Sequence, residues 1–259
     1  MKKFNIEVND KKILQKGLES IVDFYSTLAT DKKKFPEGYA FVTEIDSPFL
    51  NVFFDFRLDK KNSSDLVNSV TAFFRQYNIP WGWFIMPLSI DNDLDQQGFT
   101  LIEESPAMYF DLVNPLPNIK SNFITIKEID NVNDMTDWIQ PLNEAFQIKE
   151  DDDRYRKLNA DLLQSGEKKL RHFVAYYKDI LAAASTLFLS QDSVMLHNLG
   201  TKSVYKKCGL GTALTLYMME QAQIMGFEHC FLDSSEEAFN LYRKIGFKVY
   251  TTTLIYSKT

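Results

Sequence analysis

Leu199-Gly200-Thr201-Lys202-Ser203-Val204-Tyr205-Lys206-Lys207-Cys208-Gly209-Leu210-Gly211-Thr212-Ala213-Leu214 is the stretch whose reading decides the fold of this 259-residue chain. It leaves an apolar strand and crosses a basic loop that carries two glycines one residue apart. It then enters a helix with apolar residues at 210, 213, 214, 217, 218, 222 and 225, closed by Gly226. A helix N-terminus reached through such a loop leaves backbone N–H groups pointing outward, an arrangement suited to phosphate. Gly209 and Gly211 would let an anion come close to the backbone, and Lys206 and Lys207 add positive charge. Taken alone, a G-x-G spacing fits a strand-to-helix turn with no ligand better than a phosphate site; the surrounding context favours the phosphate.

The segments around this stretch form a repeating pattern. On its N-terminal side, Phe123 to Glu128 reads as a strand, and Asn133 to Phe146 and Asp152 to Gln164 read as helices, with a kink or break expected at Pro141. Arg171 to Tyr177, Ile180 to Leu189 and Val194 to Thr201 read as three consecutive antiparallel strands, with Lys178-Asp179 as the first turn. On its C-terminal side come the strand His229 to Asp233, the helix Glu236 to Ile245, and the strands Phe247 to Thr252 and Leu254 to Tyr256.

Upstream lies Asn114-Pro115-Leu116-Pro117-Asn118, which can continue neither a helix nor a central strand. It predicts a domain over 1–113, a linker over 114–120 and a second domain over 121–259. In the first half, Lys12 to Leu28 and Asp65 to Tyr77 read as helices, and Leu94 to Gln97 as a helical turn stopped by Gly98. Tyr39 to Ile45, Asn51 to Leu58, Trp81 to Met86, Phe99 to Ile102 and Ala107 to Val113 read as strands. Gln97-Gly98-Phe99 and Ile245-Gly246-Phe247 lie 148 residues apart, and the same offset places helix 66–76 on helix 214–224. The pattern is that of a degenerate tandem repeat.

Composition narrows the class. Hydrophobic residues are 45% and charged residues 25%, the balance of a globular protein rather than a disordered or fibrous one. The net charge of −6 argues against general nucleic-acid binding, which needs a dense positive surface. The two cysteines, Cys208 and Cys230, have no Cys or His partner at zinc-ligand spacing, so no metal is expected. The start, Met1-Lys2-Lys3-Phe4, has no apolar run behind it and does not read as a signal peptide. The longest mostly apolar stretch, Ile180 to Leu189, is about half a membrane span. A cytoplasmic protein without membrane or nucleic-acid partners is expected.

The glycine loop resembles motif A of the GNAT N-acetyltransferases, [RQ]-x-x-G-x-[GA] after a strand with a β-bulge. Lys206 stands at the Arg/Gln position, Gly209 at the first glycine and Gly211 at the second. Ser235-Glu236-Glu237-Ala238-Phe239-Asn240-Leu241-Tyr242-Arg243-Lys244-Ile245-Gly246-Phe247 is similar to motif B of the same family, N-x-x-A-x-x-L-Y-x-x-x-G-F, with Ser235 in place of Asn. The resemblance covers about Phe123 to Tyr256. The first half resembles a worn domain of the same kind. Its matching features are Phe49-Leu50-Asn51-Val52, Pro80-Trp81-Gly82-Trp83, Gly98-Phe99 and Met108-Tyr109. The fold implied is α+β: two GNAT-like domains, each a mixed, mostly antiparallel central sheet flanked by helices.

The resemblance implies acetyl-CoA as cosubstrate and direct transfer of the acetyl group to an amine. Acetyl-CoA would lie in a splay between the strands Val194 to Thr201 and His229 to Asp233. Its pantetheine would pair near Leu199, Gly200 and Thr201, and its pyrophosphate would meet Lys206, Lys207, Cys208, Gly209, Leu210, Gly211 and Thr212, with Ser235 nearby. Under the 148 offset the loop falls on Leu58 to Ser63, without glycine, so one coenzyme per chain is expected.

Tyr242, at the motif B tyrosine, is the candidate general acid for the departing thiolate. His197 is the candidate base, since an ordinary histidine titrates near neutral pH; strand alternation puts it on the face of Met195, Leu199 and Thr201. Either residue also fits a purely structural role. Cys208 is not expected to be a nucleophile. The acidic run Glu150 to Asp153 could attract a cationic amine or simply start a helix, and Trp138, Phe146 and Tyr155 could line the acceptor pocket or be core. The amine acceptor is the expected partner, on a monomer or homodimer. A non-catalytic acyl-CoA-binding or regulatory module is the alternative. A dinucleotide oxidoreductase is disfavoured, because position 214 is Leu where G-x-G-x-x-G needs its third glycine.

Overall fold

The computed structural model describes residues 4–56, 63–86, 94–118, 122–148 and 153–258. Two stretches singled out in the sequence, Leu58 to Asn62 and Glu150 to Asp152, lie outside them, as does the side chain of Ser63. The chain forms two compact units. The first contains Met1–Met108, Ser234–Glu236 and Val249–Thr259, and the second Tyr109–Asp233 and Glu237–Lys248. The division is discontinuous along the chain, where the prolines at 115 and 117 suggested a linear one. A strand is assigned by the ladder it joins, and the last strand joins the first unit's ladder.

The first unit opens with α1 (Lys11–Leu28), capped by the Asp10 carboxylate, which accepts from the Lys12 N–H at 2.8 Å. Then come β1 (Asp31–Phe35), β2 (Gly38–Val42), β3 (Val52–Asp55), α2 (Ser63–Arg75), β4 (Gly82–Ile85) and β5 (Thr100–Asp111), of which the last three residues belong to the second unit. Strand order is β1-β2-β3-β4, then the C-terminal strand, then β5. β1 carries no sequence signal, because Asp31-Lys32-Lys33-Lys34 is exposed and the strand is held by its hairpin with β2. The break expected between Ile102 and Ala107 is absent. Pro106 sits within β5, and its carbonyl still accepts from the Ser234 N–H at 3.0 Å.

The core of this unit is aromatic. Trp81 stacks on Phe74 at 4.5 Å, and Trp83 meets Phe53 edge-on at 4.8 Å. Buried Asn51 is fully engaged: Oδ1 accepts from the Thr43 N–H at 2.9 Å, and Nδ2 donates to the Ile45 and Pro80 carbonyls at 2.6 and 3.0 Å. It thereby fixes the entrances to β3 and β4.

The second unit contains β6 (Ile124–Ile129), α3 (Met135–Phe146), α4 (Arg154–Gln164), β7 (Leu170–Tyr177), β8 (Ile180–Leu189), β9 (Val194–Thr201), α5 (Leu210–Ile224), β10 (His229–Asp233) and α6 (Phe239–Ile245). Its ladder runs β10-β9-β8-β7-β6. The pairs β6–β7, β7–β8 and β8–β9 are antiparallel, and β9–β10 is parallel. Lys178 and Asp179 both take positive φ, as a tight two-residue hairpin requires. α3 is a single helix through Pro141, so of the kink or break expected there no break occurs. β11 (Lys248–Ser257) closes the chain as one strand rather than two, and it pairs antiparallel with β4 in the first unit. The α+β class and the mostly antiparallel mixed sheet are thus as the sequence implied.

α3 lies flush on β9 because Gly200 has no side chain. A Cβ there would come within 2.9 Å of Leu142 Cδ2, 3.1 Å of Ala145 Cβ and 3.3 Å of Leu142 Cα. Gly200→Val should therefore push the helix off the strand and lower stability by about 1–3 kcal/mol in urea unfolding, the usual cost of overpacking. Unchanged stability would show that α3 yields freely.

Candidate active site

β9 departs from the regular ladder. Against β8, Thr186 faces His197 and Ala184 faces Gly200. One residue of β8, Ser185, therefore stands opposite two of β9, Asn198 and Leu199, which is a β-bulge. Asn198 takes φ +55, a left-handed conformation that Asn accepts more readily than most residues. Its Nδ2 donates to the Tyr155 hydroxyl oxygen at 2.7 Å, and the Ser185 hydroxyl donates to the His197 carbonyl at 2.9 Å. The bulge interrupts the alternation expected to align His197 with Leu199 and Thr201.

On its other edge, β9 pairs with β10 only at Val194↔Cys230 and Met195↔Phe231, although β9 runs on to Thr201. The two strands part beyond Met195. In the first unit the corresponding parallel pair, β3 and β4, stays in register over four residues, from Val52↔Gly82 to Asp55↔Ile85.

Past Thr201 the chain is tied down on α3. Lys202 Nζ donates to Gln140 Oε1 at 3.0 Å, and the Ser203 N–H to Glu144 Oε1 at 2.7 Å. Lys207 (φ +67) and Gly209 (φ +85) then turn the backbone through the left-handed region into α5. Exposed Gly209 occupies the N-cap place, no side chain caps it, and the first turn of α5 holds no acidic residue. Such an end carries partial positive charge with outward N–H groups. Leu210 is buried, so only its backbone faces a ligand there.

Gly211 has a packing role that the sequence reading did not give it. A Cβ there would lie 2.9 Å from Leu241 Cδ1 and 3.5 Å from Leu199 Cδ2, so its absence lets α5 nest on α6 and β9. Lys206 Nζ is 2.8 Å from Glu237 Oε1 in an exposed ion pair.

Tyr242, on α6, is buried with its ring 5.7 Å from Phe247. Burial pushes its hydroxyl above the ordinary tyrosine range, and the neighbouring Cys230 thiol adds to this. Burial also raises Cys230. Tyr242 is therefore protonated at neutral pH. His197 is held at about 3 by burial, and so is His172, whose Nδ1 lies 3.0 Å from Thr186 Oγ1. Both imidazoles stay neutral. Trp138 and Tyr155 are core residues, with rings 5.7 Å apart, while Phe146 is exposed.

Leu199, Gly200, Thr201, Lys206 to Thr212, His197 and Tyr242 all fall in the second unit. Ser235 does not; it belongs with Ser234–Glu236 to the first. The residue missed from sequence is Asn198; Tyr155 reads there as pocket or core, and the structure makes it the partner of Asn198. An asparagine inside an apolar strand is the one signal in the sequence that could have found Asn198. Among the described residues no group of three or more His, Cys, Asp or Glu is arranged to hold a metal ion, and no helix is long and apolar enough to cross a membrane.

Residues 132–247 match the family model "Acetyltransferase (GNAT) family". Among solved structures, a GCN5-related N-acetyltransferase from Kribbella flavida is similar over 95% of this chain and 94% of its own, at 12% identity and TM-score 0.73. One from Sphaerobacter thermophilus is similar over 86% and 76%, at 15% identity and TM-score 0.63. An acetyltransferase of the GNAT family from Novosphingobium aromaticivorans is similar over 94% and 96%, at 14% identity and TM-score 0.58. These likenesses are of fold, and they extend through the first half of the chain. No curated protein matches the chain in sequence.

Two outcomes follow from the site. Gly211→Glu forces a carboxylate into the seam between α5, α6 and β9 at the start of α5, and Gly211→Ala adds only a methyl that the flexible tip of Leu241 can accommodate. Calorimetry with coenzyme A should show at least a tenfold loss, about 1.4 kcal/mol, for the first and little change for the second. Equal affinities would place the phosphates elsewhere.

The second outcome concerns pH. Between about 3 and 6.5 the unfolded chain protonates His172 and His197 while the folded one does not. Each histidine therefore makes stability fall, as pH drops through that window, by up to about 1.4 kcal/mol per unit, with no effect above it. His172→Gln should flatten the slope in urea titrations run at a series of pH values; an unchanged slope would show that His172 is solvated.

Proposed function

Because residues 132–247 match the Acetyltransferase (GNAT) family model, we propose that the chain transfers an acetyl group from acetyl-CoA directly to a primary amine of a small molecule or protein. The observation that carries the reading is the parting of β9 and β10 beyond Met195, with the uncapped N-terminus of α5 past it. An extended, amide-bearing pantetheine suits a strand edge that its neighbour has left, as an added strand would. A pyrophosphate suits the helix end. Lys206 and Lys207 add charge, since the exposed Lys206–Glu237 pair is worth about 0–1 kcal/mol and exchanges readily for phosphate. One coenzyme per chain is proposed, because the corresponding strands of the first unit stay paired.

In the proposed reaction the amine nitrogen attacks the acetyl carbonyl carbon. The N–C bond forms, the C–S bond breaks, and the electron pair leaves on sulfur. Tyr242, holding its proton at neutral pH, gives it to the thiolate. The nitrogen releases its proton to solvent, and water restores the tyrosine. A histidine held at about 3 is a weak base for an ammonium group. The reading therefore gives His197 a place in the wall of the bulge and has the amine react in its neutral form. The cytoplasm, where acetyl-CoA is available, is the proposed compartment.

One observation favours a second reading, a non-catalytic acyl-CoA-binding module: the motif A lysine is already engaged by Glu237. Incubation with acetyl-CoA and a panel of amines separates the two, because only the enzyme releases free thiol. With an accepted amine, Tyr242→Phe should lower turnover by roughly 10²–10⁴, the worth of a general acid, with coenzyme affinity nearly unchanged. Full turnover in that variant, where chemistry limits the rate, would remove Tyr242 from the mechanism.

A further inference from the structure

We infer that Tyr155 is a positioning residue: through its hydrogen bond to Asn198 it holds the β9 bulge in the form that parts β9 from β10. The functional consequence rests on the acetyl-CoA reading above; the mechanical part does not.

A bulge with one extra residue can slide or straighten unless something fixes which residue is extra. Here that residue is Asn198, at φ +55, and its side chain is anchored on α4 by the 2.7 Å bond to Tyr155. Tyr155 is itself fixed. It is buried, its ring lies 5.7 Å from Trp138, and its carbonyl accepts from Asn159 Nδ2 at 2.9 Å. Trp138 packs 4.4 Å from the ring of His172 on β7, and His172 reaches Thr186 on β8 at 3.0 Å. Thr186 in turn faces His197, the residue before Asn198. The contacts close a circuit through α3, α4, β7, β8 and β9 around the bulge, and the Tyr155–Asn198 bond is the link that touches the extra residue.

Tyr155→Phe opens the circuit at one atom while the ring stays against Trp138. The left-behind Asn198 amide loses its partner in a half-buried place, which favours other backbone arrangements. The pantetheine edge should suffer, while the helix N-terminus, held separately by Gln140 and Glu144 through Lys202 and Ser203, should not.

Two measurements test this on the full chain. Hydrogen exchange by mass spectrometry reads the bulge directly: Tyr155→Phe should speed exchange in the peptide covering 194–201 and leave 170–177 unchanged. Calorimetry then compares coenzyme A with adenosine 3′-phosphate 5′-diphosphate, its nucleotide without pantetheine. The variant should bind the first about tenfold more weakly and the second within about twofold. A general loss of stability would weaken both alike. Asn198→Gly, which keeps the left-handed backbone without strain, should give the same pattern, and the double variant should be no worse than either single one. Unchanged exchange in 194–201, equal losses for both ligands, or additive effects in the double variant would overturn the inference. If the wild-type chain binds neither ligand but exchange rises as stated, the acetyl-CoA reading fails and the mechanical role of Tyr155 stands.

Discussion

The second unit depends on a single misfit between two strands. Ser185 faces two residues of β9, Asn198 and Leu199, and this bulge lies just past Met195, the last residue of β9 paired with β10. A parallel ladder left to itself would continue, because each further residue adds backbone hydrogen bonds. Here the β9–β10 ladder stops at Met195↔Phe231, and the rest of β9 runs on toward the start of α5. Gly200 without a side chain under α3, Asn198 in the left-handed region and Gly209 at the start of α5 are each local departures from regular structure, and all three lie within twelve residues of one another. Departures of this kind gather where a fold gives up regular pairing for a site.

The electrostatics of that region come from backbone and burial more than from formal charge. The chain carries a net charge of −6, and Lys206 is already paired with Glu237. What favours an anion at the start of α5 is the uncapped helix end, which costs little to maintain because it is exposed. Burial acts in the opposite sense on the groups behind it. Tyr242 and Cys230 keep their protons, and His172 and His197 stay without theirs. The interior next to the parted strands is therefore neutral at physiological pH.

The two units repeat one motif, a strand, a helix and a parallel strand. β3, α2 and β4 make it in the first, and β9, α5 and β10 in the second, with β4 falling on β10 and α2 on α5 under an offset of 148 residues. They differ where function would be decided. The first packs its strands with stacked aromatics and a fully bonded Asn51, and its parallel pair stays closed. The second bears the bulge and the glycine-bearing loop. Of these two parallel pairs, β3–β4 stays in register over four residues and β9–β10 over two.

Sequence by itself determined the α+β class, nearly every helix, the order of the strands around the glycine loop, and the loop itself. Periodicity, two spaced glycines and a second motif are local signals, and local signals survive without tertiary context. Some elements were beyond it. β1 is a run of Asp and Lys that becomes a strand only because a hairpin holds it to β2, and Pro106 and Pro141 read as breaks because propensity cannot see the neighbours that carry a strand or helix through them. Only the folded chain decided that Val249–Thr259 joins the first unit, since a strand's partner is not written in its own residues. Only it decided that His197 is held neutral, because burial is a property of what surrounds a side chain. The Tyr155–Asn198 bond joins residues 43 apart in the chain, and neither residue alone announces the other. Long-range contacts of that kind exist only once the elements have packed, and they set the geometry of the strand edge.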